Sequence, residues 1–305
     1  MPGKTADRFV SGFISILGRP SAGKSTLLNA LVGSKIAIVA GRPQTTRTLI
    51  QGVLTLPEAQ MVFLDTPGIH KPDTLFNRRM METIRSALNE RDLLLYLVDA
   101  SVAFSEADQE AVRVIAGTRT PTLLVLNKID RVKDKSRLLP LIERYKALHD
   151  FAGYIPISAR KNQLGQLRPA ILARLPEGPA YFPPDHITDQ PERFIAAEMI
   201  REKIVAATRQ EVPHSVAVLV DQWQESPALT RISATIYAER DGQKGIIIGA
   251  KGALLKRIGT HAREAMEVFF GRKIFLELYV KVEPKWRESP EFLDRMDWRS
   301  DGRKK

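Results

Sequence analysis

A glycine-rich segment near the start of the chain has the residue types and spacing of a phosphate-binding loop. Residues 18–25 read G-x-x-x-x-G-K-S, between an apolar run and a helical pattern. Gly18 and Gly23 let the backbone turn so that successive N–H groups face a phosphate chain at a helix N-terminus. In such a loop Lys24 reaches the β- and γ-phosphates and Ser25 holds Mg²⁺. The other nucleotide contacts predicted for this loop are Arg19, Pro20, Ser21, Ala22 and Thr26.

Two later segments carry further candidate magnesium ligands. The polar stretch P-Q-T-T-R contains Thr45 and Thr46, and either hydroxyl could join the ion if γ-phosphate and Mg²⁺ order this segment. An apolar run then ends in D-T-P-G, which places Asp65 to contact Mg²⁺ through water and the Gly68 N–H to meet the γ-phosphate. The nucleotide contacts predicted for this turn also include Thr66 and Pro67.

A second apolar strand ends in N-K-I-D, which indicates guanine recognition. The carboxylate of Asp130 can accept hydrogen bonds from the guanine N1–H and 2-amino group, which adenine does not offer, so it would enforce the choice of base. Asn127 would support the loop and the base, and Lys128 would lie along the ring. The backbone of a later turn, Ser158 and Ala159, could also touch the guanine.

The elements that must position these loops alternate between strand and helix. Short apolar runs and helical patterns follow one another over residues 8 to 175. This order predicts a doubly wound, mostly parallel α/β sheet, whose ligand-binding loops lie at the carboxyl ends of the strands. The first part of the chain is therefore predicted to be a P-loop GTPase domain.

The later part of the chain carries a different motif. A helix and two strands precede I-I-G-A-K-G, a G-x-x-G sequence that opens another helix, and a last strand follows. The order α-β-β-α-β predicts a smaller α+β domain of the type II KH class, in which the G-x-x-G turn clamps about four single-stranded nucleotides. The residues predicted to bind RNA are Ile248, Gly249, Ala250, Lys251, Gly252, Lys256 and Arg257.

A proline-rich segment separates the two predicted domains, and the overall composition limits the kinds of partner and metal site that the chain can have. We predict a nucleotide-binding domain over residues 8–178, a proline-rich linker over 179–192, a KH domain over 193–285 and a basic tail over 286–305. The net charge of +11 is compatible with a nucleic acid or an anionic membrane as partner. The chain has no cysteine, which excludes disulfides and thiolate metal sites and fits a cytoplasmic protein.

Taken together, the motifs resemble the Era family of bacterial ribosome-assembly GTPases, in the TrmE-Era-EngA branch. The resemblance is carried by G-R-P-x-x-G-K-S, P-Q-T-T-R, D-T-P-G-I, N-K-I-D and S-A, followed by the proline-rich segment and I-I-G-A-K-G. In related GTPases the magnesium threonine directly precedes the arginine of T-R, so the resemblance selects Thr46. Lys24, Thr46 and Gly68 are then the expected catalytic contacts, and Ser25, Thr46 and Asp65 the expected magnesium ligands.

The resemblance also implies partners and cofactors. We expect GTP hydrolysis with Mg²⁺, binding of 16S ribosomal RNA near its 3′ end in 30S subunit assembly, a monomer, and loose peripheral association with the inner face of the cell membrane. Ile69 stands where many GTPases carry a water-orienting glutamine, and an apolar residue there is usual for this branch. Ser21 stands where many relatives have an asparagine linked to an activating K⁺, so we predict weak or no K⁺ activation.

Two alternatives compete with this hypothesis. One is a membrane-associated or partner-binding switch whose KH-like module is an interaction platform, but no long basic amphipathic helix with aromatic anchors supports it. The other is a tRNA-modifying GTPase of the same branch, which would need catalytic or cofactor motifs outside the nucleotide-binding domain. We find no such motif in the sequence.

Overall fold

The computed structural model describes residues 8–39, 45–69, 73–89, 91–208 and 212–299. Within these ranges the chain divides into two units, each with its own internal contacts. Of the described residues, the first unit takes 8–36, 46–69 and 79–189, and the second takes 37–39, 45, 73–78 and 190–299.

A six-stranded sheet forms the centre of the first unit. Its strands are β1 (Val10–Gly18), β2 (Ile50–Leu56), β3 (Ala59–Asp65), β4 (Leu93–Asp99), β5 (Thr122–Asn127) and β6 (Gly153–Pro156). They lie in the order β2-β3-β1-β4-β5-β6, and only β2 runs antiparallel to its neighbour. Strands β3 and β5 are buried along their whole length, as expected of continuous apolar runs in a parallel sheet. The predicted mostly parallel α/β fold is confirmed.

Helices connect these strands and complete the first core. They are α1 (Lys24–Val32), α2 (Leu75–Ser86), α3 (Glu106–Arg113), α4 (Leu138–Lys146) and α5 (Leu167–Leu172). Tyr96 of β4 lies in one buried cluster with Tyr145 of α4 and Phe151, at ring-centroid distances of 6.4 and 6.2 Å. No helix within the described ranges is long and apolar enough to cross a bilayer.

The proline-rich segment after α5 packs on the first unit's own sheet. The side-chain oxygen of Gln60 accepts hydrogen bonds from the backbone N–H groups of Tyr181 and Phe182, at 2.6 and 2.9 Å. Further along, the N–H of Val53 donates to the carbonyl of Ile187 at 2.8 Å. Residues 179–189 are therefore held against β2 and β3, and the predicted domain limits stay predictions.

The second unit is a three-stranded sheet packed against helices. Its elements are α6 (Glu192–Ala207), α7 (Val212–Ser215), β7 (Ala217–Glu225), β8 (Thr230–Ala238), α8 (Asp241–Ile248), α9 (Ala253–Phe270), β9 (Ile274–Val282) and α10 (Pro290–Met296). The strands lie in the order β7-β8-β9, with β7 antiparallel and β9 parallel to the central β8. Alternate residues of β8, from Ile232 to Ala238, are buried in a core shared with α6 and α9.

The structure adds two helices to the predicted order of elements. We expected α-β-β-α-β, but the short α7 follows α6 and α8 precedes the G-x-x-G turn, so the order up to β9 is α-α-β-β-α-α-β. The start of α8 is capped by the side-chain oxygen of Gln243, which accepts from the N–H groups of Glu239 and Arg240 at 3.0 and 3.2 Å. This cap satisfies N–H groups at the helix start that have no partner within the helix itself.

The first part of the predicted basic tail is an ordered piece of the second unit. Trp286 is fully buried, and its indole N–H donates to the carbonyl oxygen of Ser215 at 2.9 Å. Its ring lies 5.5 Å from that of Phe292 on α10, and α10 is capped by Ser289. Trp286 therefore anchors the chain after β9 in the core of the second unit.

We predict that Trp286→Ala lowers the stability of the second unit by about 3–5 kcal/mol, because it deletes a fully buried ring and leaves the Ser215 carbonyl without its donor. Hydrogen exchange of the β7–β9 amides in the full chain measures this opening free energy. Val268→Ala, at an 86% exposed position, is the control and should change it by less than about 0.5 kcal/mol. Equal protection in both variants would contradict the assignment of Trp286.

Candidate functional site

The phosphate-binding loop lies between β1 and α1, as predicted. The Nζ of Lys24 donates to the carbonyl oxygens of Gly18 and Arg19, each at 3.1 Å, so the loop backbone holds the ammonium group. Gly23 has φ 103°, and a Cβ there would lie 2.4 Å from the side-chain nitrogen of Asn127. Glycine at this position therefore meets both a backbone and a space requirement.

Buried opposite charges face each other beneath this loop. Burial lowers the pKa of Lys24 to about 8, and the charge of Asp65 opposes that shift. Burial also raises the pKa of Asp65 to about 6, against the effects of Lys24 and of hydrogen bonds from Ser25 and Thr46. Each group favours the charged form of the other, so the site pairs a cation for phosphate with a carboxylate for a metal ion.

The predicted magnesium ligands come together and fit that ion. The hydroxyl oxygens of Ser25 and Thr46 lie 2.6 Å apart, and they lie 2.7 and 3.2 Å from one carboxylate oxygen of Asp65. The other carboxylate oxygen is buried and has no hydrogen-bond partner within the described part of the chain. Hard oxygen donors with a single carboxylate suit Mg²⁺, which takes its remaining ligands from phosphates and water.

The turn after β3 runs directly against the phosphate-binding loop. A Cβ on Gly68 would lie 2.8 Å from backbone atoms of Pro20, so only glycine permits this approach. The N–H of Ile69 donates to the Gly18 carbonyl at 3.2 Å, and its side chain packs on the core cluster of the first unit. The hydroxyl of Thr66 is bound to the carbonyl of Ile16 at 2.9 Å, so its contribution is to hold the turn on β1.

Sequence reasoning missed a carboxylate that anchors the loop. The guanidinium of Arg19 lies 3.0 Å from Asp108 and 3.1 Å from the hydroxyl of Ser105. Asp108 also accepts from the N–H and hydroxyl of Ser105, at 2.9 and 2.7 Å. Burial of Asp108 opposes its ionisation, but the hydrogen bonds from Ser105 and Arg19 outweigh it and the pKa is lowered. The S-x-x-D capping pattern at the start of α3 was the available signal.

The residues predicted to recognise guanine lie at or just after the ends of β5 and β6. The hydroxyl of Ser158 donates to Asp130 at 2.6 Å, and this bond is the main cause of the lowered pKa of Asp130. An ionised carboxylate with one oxygen oriented by Ser158 is the acceptor that guanine requires. The prediction had assigned only the backbone of Ser158 to the nucleotide; its side chain also has a positioning contact.

Asn127 and Lys128 connect the guanine end of the site to the phosphate-binding loop. The side-chain amide of Asn127 donates to the Ala22 carbonyl at 2.8 Å, and its oxygen accepts from the N–H of Ala159 at 3.0 Å. The Nζ of Lys128 donates to the carbonyl of Ser21 at 2.7 Å and pairs with Asp99 at 2.6 Å. Asp99, at the end of β4, is a second positioning residue that the motifs did not indicate.

The G-x-x-G turn of the second unit links α8 to α9. Gly249 and Gly252 have φ 71° and 80°, and a Cβ on Gly249 would lie 2.7 Å from Leu254. Lys251, between them, is exposed and has φ 49°. A groove of about 380 Å³ starts at this turn and runs between α9 and β9. Its lining includes Leu255, Lys256, Gly259, Arg263, Leu276 and Leu278.

Comparison with known proteins agrees with both units. A family model described as 50S ribosome-binding GTPase matches residues 13–128, and a KH domain model matches residues 211–287. GTPase Era of Heliobacterium modesticaldum is 48% identical over 289 residues, which cover 94% of this chain and 96% of that protein. The chain belongs to the Era family of GTPases. GTPase Era of Syntrophus aciditrophicus is 49% identical, over 93% of this chain and 94% of that protein.

Solved Era structures have the same fold as this Era-family chain. A variant of Era from Aquifex aeolicus bound to GDP and AlF₄⁻ superimposes with a TM-score of 0.91 at 40% identity, over 95% of this chain and 99% of that one. An Era structure in complex with MgGDPNP and nucleotides 1506–1542 of 16S ribosomal RNA gives 0.92, with the same identity and coverage. The predicted family, GTPase domain and KH domain are confirmed.

We predict that Asp130→Asn reduces the affinity for GDP about a hundredfold or more, because an amide places a donor opposite the guanine donors. The same amide should favour xanthosine diphosphate, whose ring carries a carbonyl where guanine has its 2-amino group. Titration calorimetry with both nucleotides measures the change. Asp134→Asn, an exposed carboxylate four positions further along, is the matched control and should bind like the parent. Undiminished GDP affinity in Asp130→Asn would contradict the role of Asp130.

Proposed function

We propose that this Era-family protein is a GTP-hydrolysing switch that binds 16S ribosomal RNA near its 3′ end during assembly of the 30S subunit. The observation that carries the proposal is the presence, in one chain, of a complete set of guanine-nucleotide motifs and a G-x-x-G groove. The complex of a relative with MgGDPNP and nucleotides 1506–1542 of 16S ribosomal RNA supports both ligands. Such an RNA-bound switch works in the cytoplasm.

Catalysis in the first unit would consist of positioning and charge neutralisation. Phosphoryl transfer leaves little covalent chemistry to the protein, so Lys24 would bind the β- and γ-phosphates and stabilise the charge that develops on them. Ser25, Thr46 and Asp65 would hold Mg²⁺, which neutralises phosphate charge when bound. The N–H of Gly68 would meet the γ-phosphate, next to the backbone of Pro20.

The side chain of Ile69 takes no part in orienting the attacking water, because it is aliphatic and packs on the core of the first unit. Water must then be positioned by backbone groups near Gly68 or by a group that a partner supplies. This assignment differs from GTPases with a glutamine at the same place, and it fits a slow switch whose turnover depends on its partner.

In the second unit the G-x-x-G turn would receive the RNA backbone. Gly249 and Gly252 leave no side chain in the way of a phosphate, and the exposed Lys251 adds a positive charge. Lys256 and Arg257 are exposed on the first turns of α9. Between Arg240 and Arg287 the chain has eleven basic and five acidic residues, which supports an anionic ligand.

Two finer expectations concern assembly state and membranes. We expect a monomer, and loose association with the inner face of the membrane as a secondary property. Within the described ranges no observation favours a membrane platform over RNA as the main partner of the second unit. Flotation with anionic vesicles, in the presence and absence of ribosomal RNA, would rank the two partners directly.

The potassium prediction follows from Ser21. This residue has φ 64°, a backbone conformation for which asparagine is better suited than serine, and its carbonyl is held by Lys128. The short hydroxyl side chain cannot supply the amide oxygen that relatives present there. We predict less than about a twofold difference in GTP turnover between KCl and NaCl, and a larger K⁺ stimulation in Ser21→Asn. Strong K⁺ stimulation of the parent protein would refute this.

The proposed function is tested by separating its two activities. Replacing both Ala250 and Lys251 with Asp should abolish binding to a single-stranded 16S 3′-end oligonucleotide, because anionic side chains meet the RNA backbone. GTP turnover should be unchanged. Lys24→Ala should reduce turnover to background. The control that matches the Ala250 and Lys251 variant replaces Lys146 and Ala147, an exposed pair at the end of α4, with Asp. It makes the same change of charge and should retain both activities. Retained RNA binding in the G-x-x-G variant would overturn the proposal.

A further inference from the structure

Strand β9 exposes two aromatic rings on the sheet face opposite to the core. Its side chains alternate, so Leu276 and Leu278 point to the side of α9 and line the groove there, while Phe275 and Tyr279 point the other way. Phe275 is 43% exposed and Tyr279 is 52% exposed. Both rings are therefore accessible to a ligand that approaches this face of the sheet.

A third aromatic residue on the same face, Tyr237, is covered by another part of the chain. Tyr237 of β8 is only 6% exposed, because Phe292 of α10 packs on its ring at a centroid distance of 5.0 Å. Helix α10 therefore covers the end of the face where Tyr237 lies. The end with Phe275 and Tyr279 keeps its rings accessible.

Basic side chains flank the two rings. Arg231, the register partner of Phe275 on β8, places its guanidinium carbon 5.1 Å from the centre of that ring. Lys281 follows on the same face of β9, and the exposed Lys273 precedes the strand. Two carboxylates share this face: Glu277 of β9, and Asp221 of β7, which accepts a hydrogen bond from the hydroxyl of Thr235 at 2.7 Å. Aromatic rings with flanking cations are the combination with which proteins bind single-stranded nucleic acid.

We propose that Phe275 and Tyr279 form a base-stacking platform that takes nucleotides flanking those in the G-x-x-G groove. Because β9 is the edge strand of its sheet, an RNA strand leaving the groove beside Leu276 and Leu278 crosses one strand to reach the outer face. The rings are four residues apart, roughly 13 Å along a strand, so each would stack on a different base. The inference rests on the proposed RNA-binding function. It means that the second unit contacts more than the four nucleotides held at the G-x-x-G turn.

A pair of RNA ligands tests the platform in the full-length protein. One is a four-nucleotide single strand that fills the groove, and the other is the same sequence with four unpaired nucleotides added on each side. Replacing Phe275 and Tyr279 together with Ala should weaken the long RNA by about tenfold or more and leave the short RNA unchanged. The salt dependence of binding should keep its slope, because stacking releases no counterions.

Matched variants distinguish stacking from loss of structure. Exchanging the rings, Phe275→Tyr with Tyr279→Phe, should preserve binding of the long RNA, since both rings still stack. The pair Val268→Ala and Leu139→Ala removes exposed apolar side chains elsewhere and should have no effect. Unchanged binding of the short RNA verifies that the second unit is folded, and GTP turnover at the parent value verifies the first unit.

Two outcomes overturn the platform. One is unchanged affinity for the long RNA in the double alanine variant, and the other is an equal loss for both RNA lengths, which would place the effect in the groove. A different result would contradict the proposed RNA-binding function itself. In that case the variant with Asp at 250 and 251 binds both RNA lengths as well as the parent protein does.

Discussion

The buried side chain of Asn127 holds together the two ends of the nucleotide site. It is 2% exposed, and its amide bonds the phosphate-binding loop at Ala22 on one side and the turn at Ala159 on the other. These partners are 105 and 32 residues away in sequence, so the geometry of the site depends on this amide rather than on local chain stiffness. Removing it would leave a buried carbonyl and a buried N–H unpaired, which is more harmful than the loss of two exposed hydrogen bonds.

The parallel register of the strands explains why Asn127 can contact both ends of the site. Asp99 of β4 lies opposite Asn127 of β5, so the two strands end together and Lys128 can reach Asp99. The neighbouring end of β1 begins the phosphate-binding loop. Opposite charges at Lys24 and Asp65 are both buried and each favours the charged form of the other; Lys24 also donates to two loop carbonyls, and Asp65 accepts from two hydroxyl groups. The sheet thus sets the spacing between the phosphate end and the guanine end of the site.

Much of the nucleotide site was predictable from the sequence, because the residue types and spacing of each motif indicate the ligand group that it would bind. The carboxylate predicted to recognise guanine and the lysine predicted to bind phosphate each follow a strand end, and the structure places both there. Contacts between distant segments were not predictable in the same way. Arg19 and Asp108 are 89 positions apart, and the pairing depends on how α3 returns to β1, although the S-x-x-D cap of α3 was visible. Trp286 has no periodic pattern around it, so neither its burial nor its bond to Ser215 could be inferred.

Helix α8 was missed for a different reason. Its sequence, D-G-Q-K-G-I-I-I, has two glycines and three β-branched residues, which local propensity assigns to a loop or a strand. Burial of Ile247 in the core and the cap formed by Gln243 outweigh that propensity.

Both units have non-glycine residues with positive φ in their predicted binding motifs. Of the five non-glycine residues with positive φ in the described ranges, three belong to predicted binding motifs: Ser21, Lys128 and Lys251. Such conformations are unfavourable for L-residues and persist where surrounding contacts impose them. Lys128 is held by Asp99 and the Ser21 carbonyl, whereas Lys251 lies between glycines that are themselves in positive φ. In both units, these strained backbone positions therefore lie within the loops that are predicted to bind a ligand.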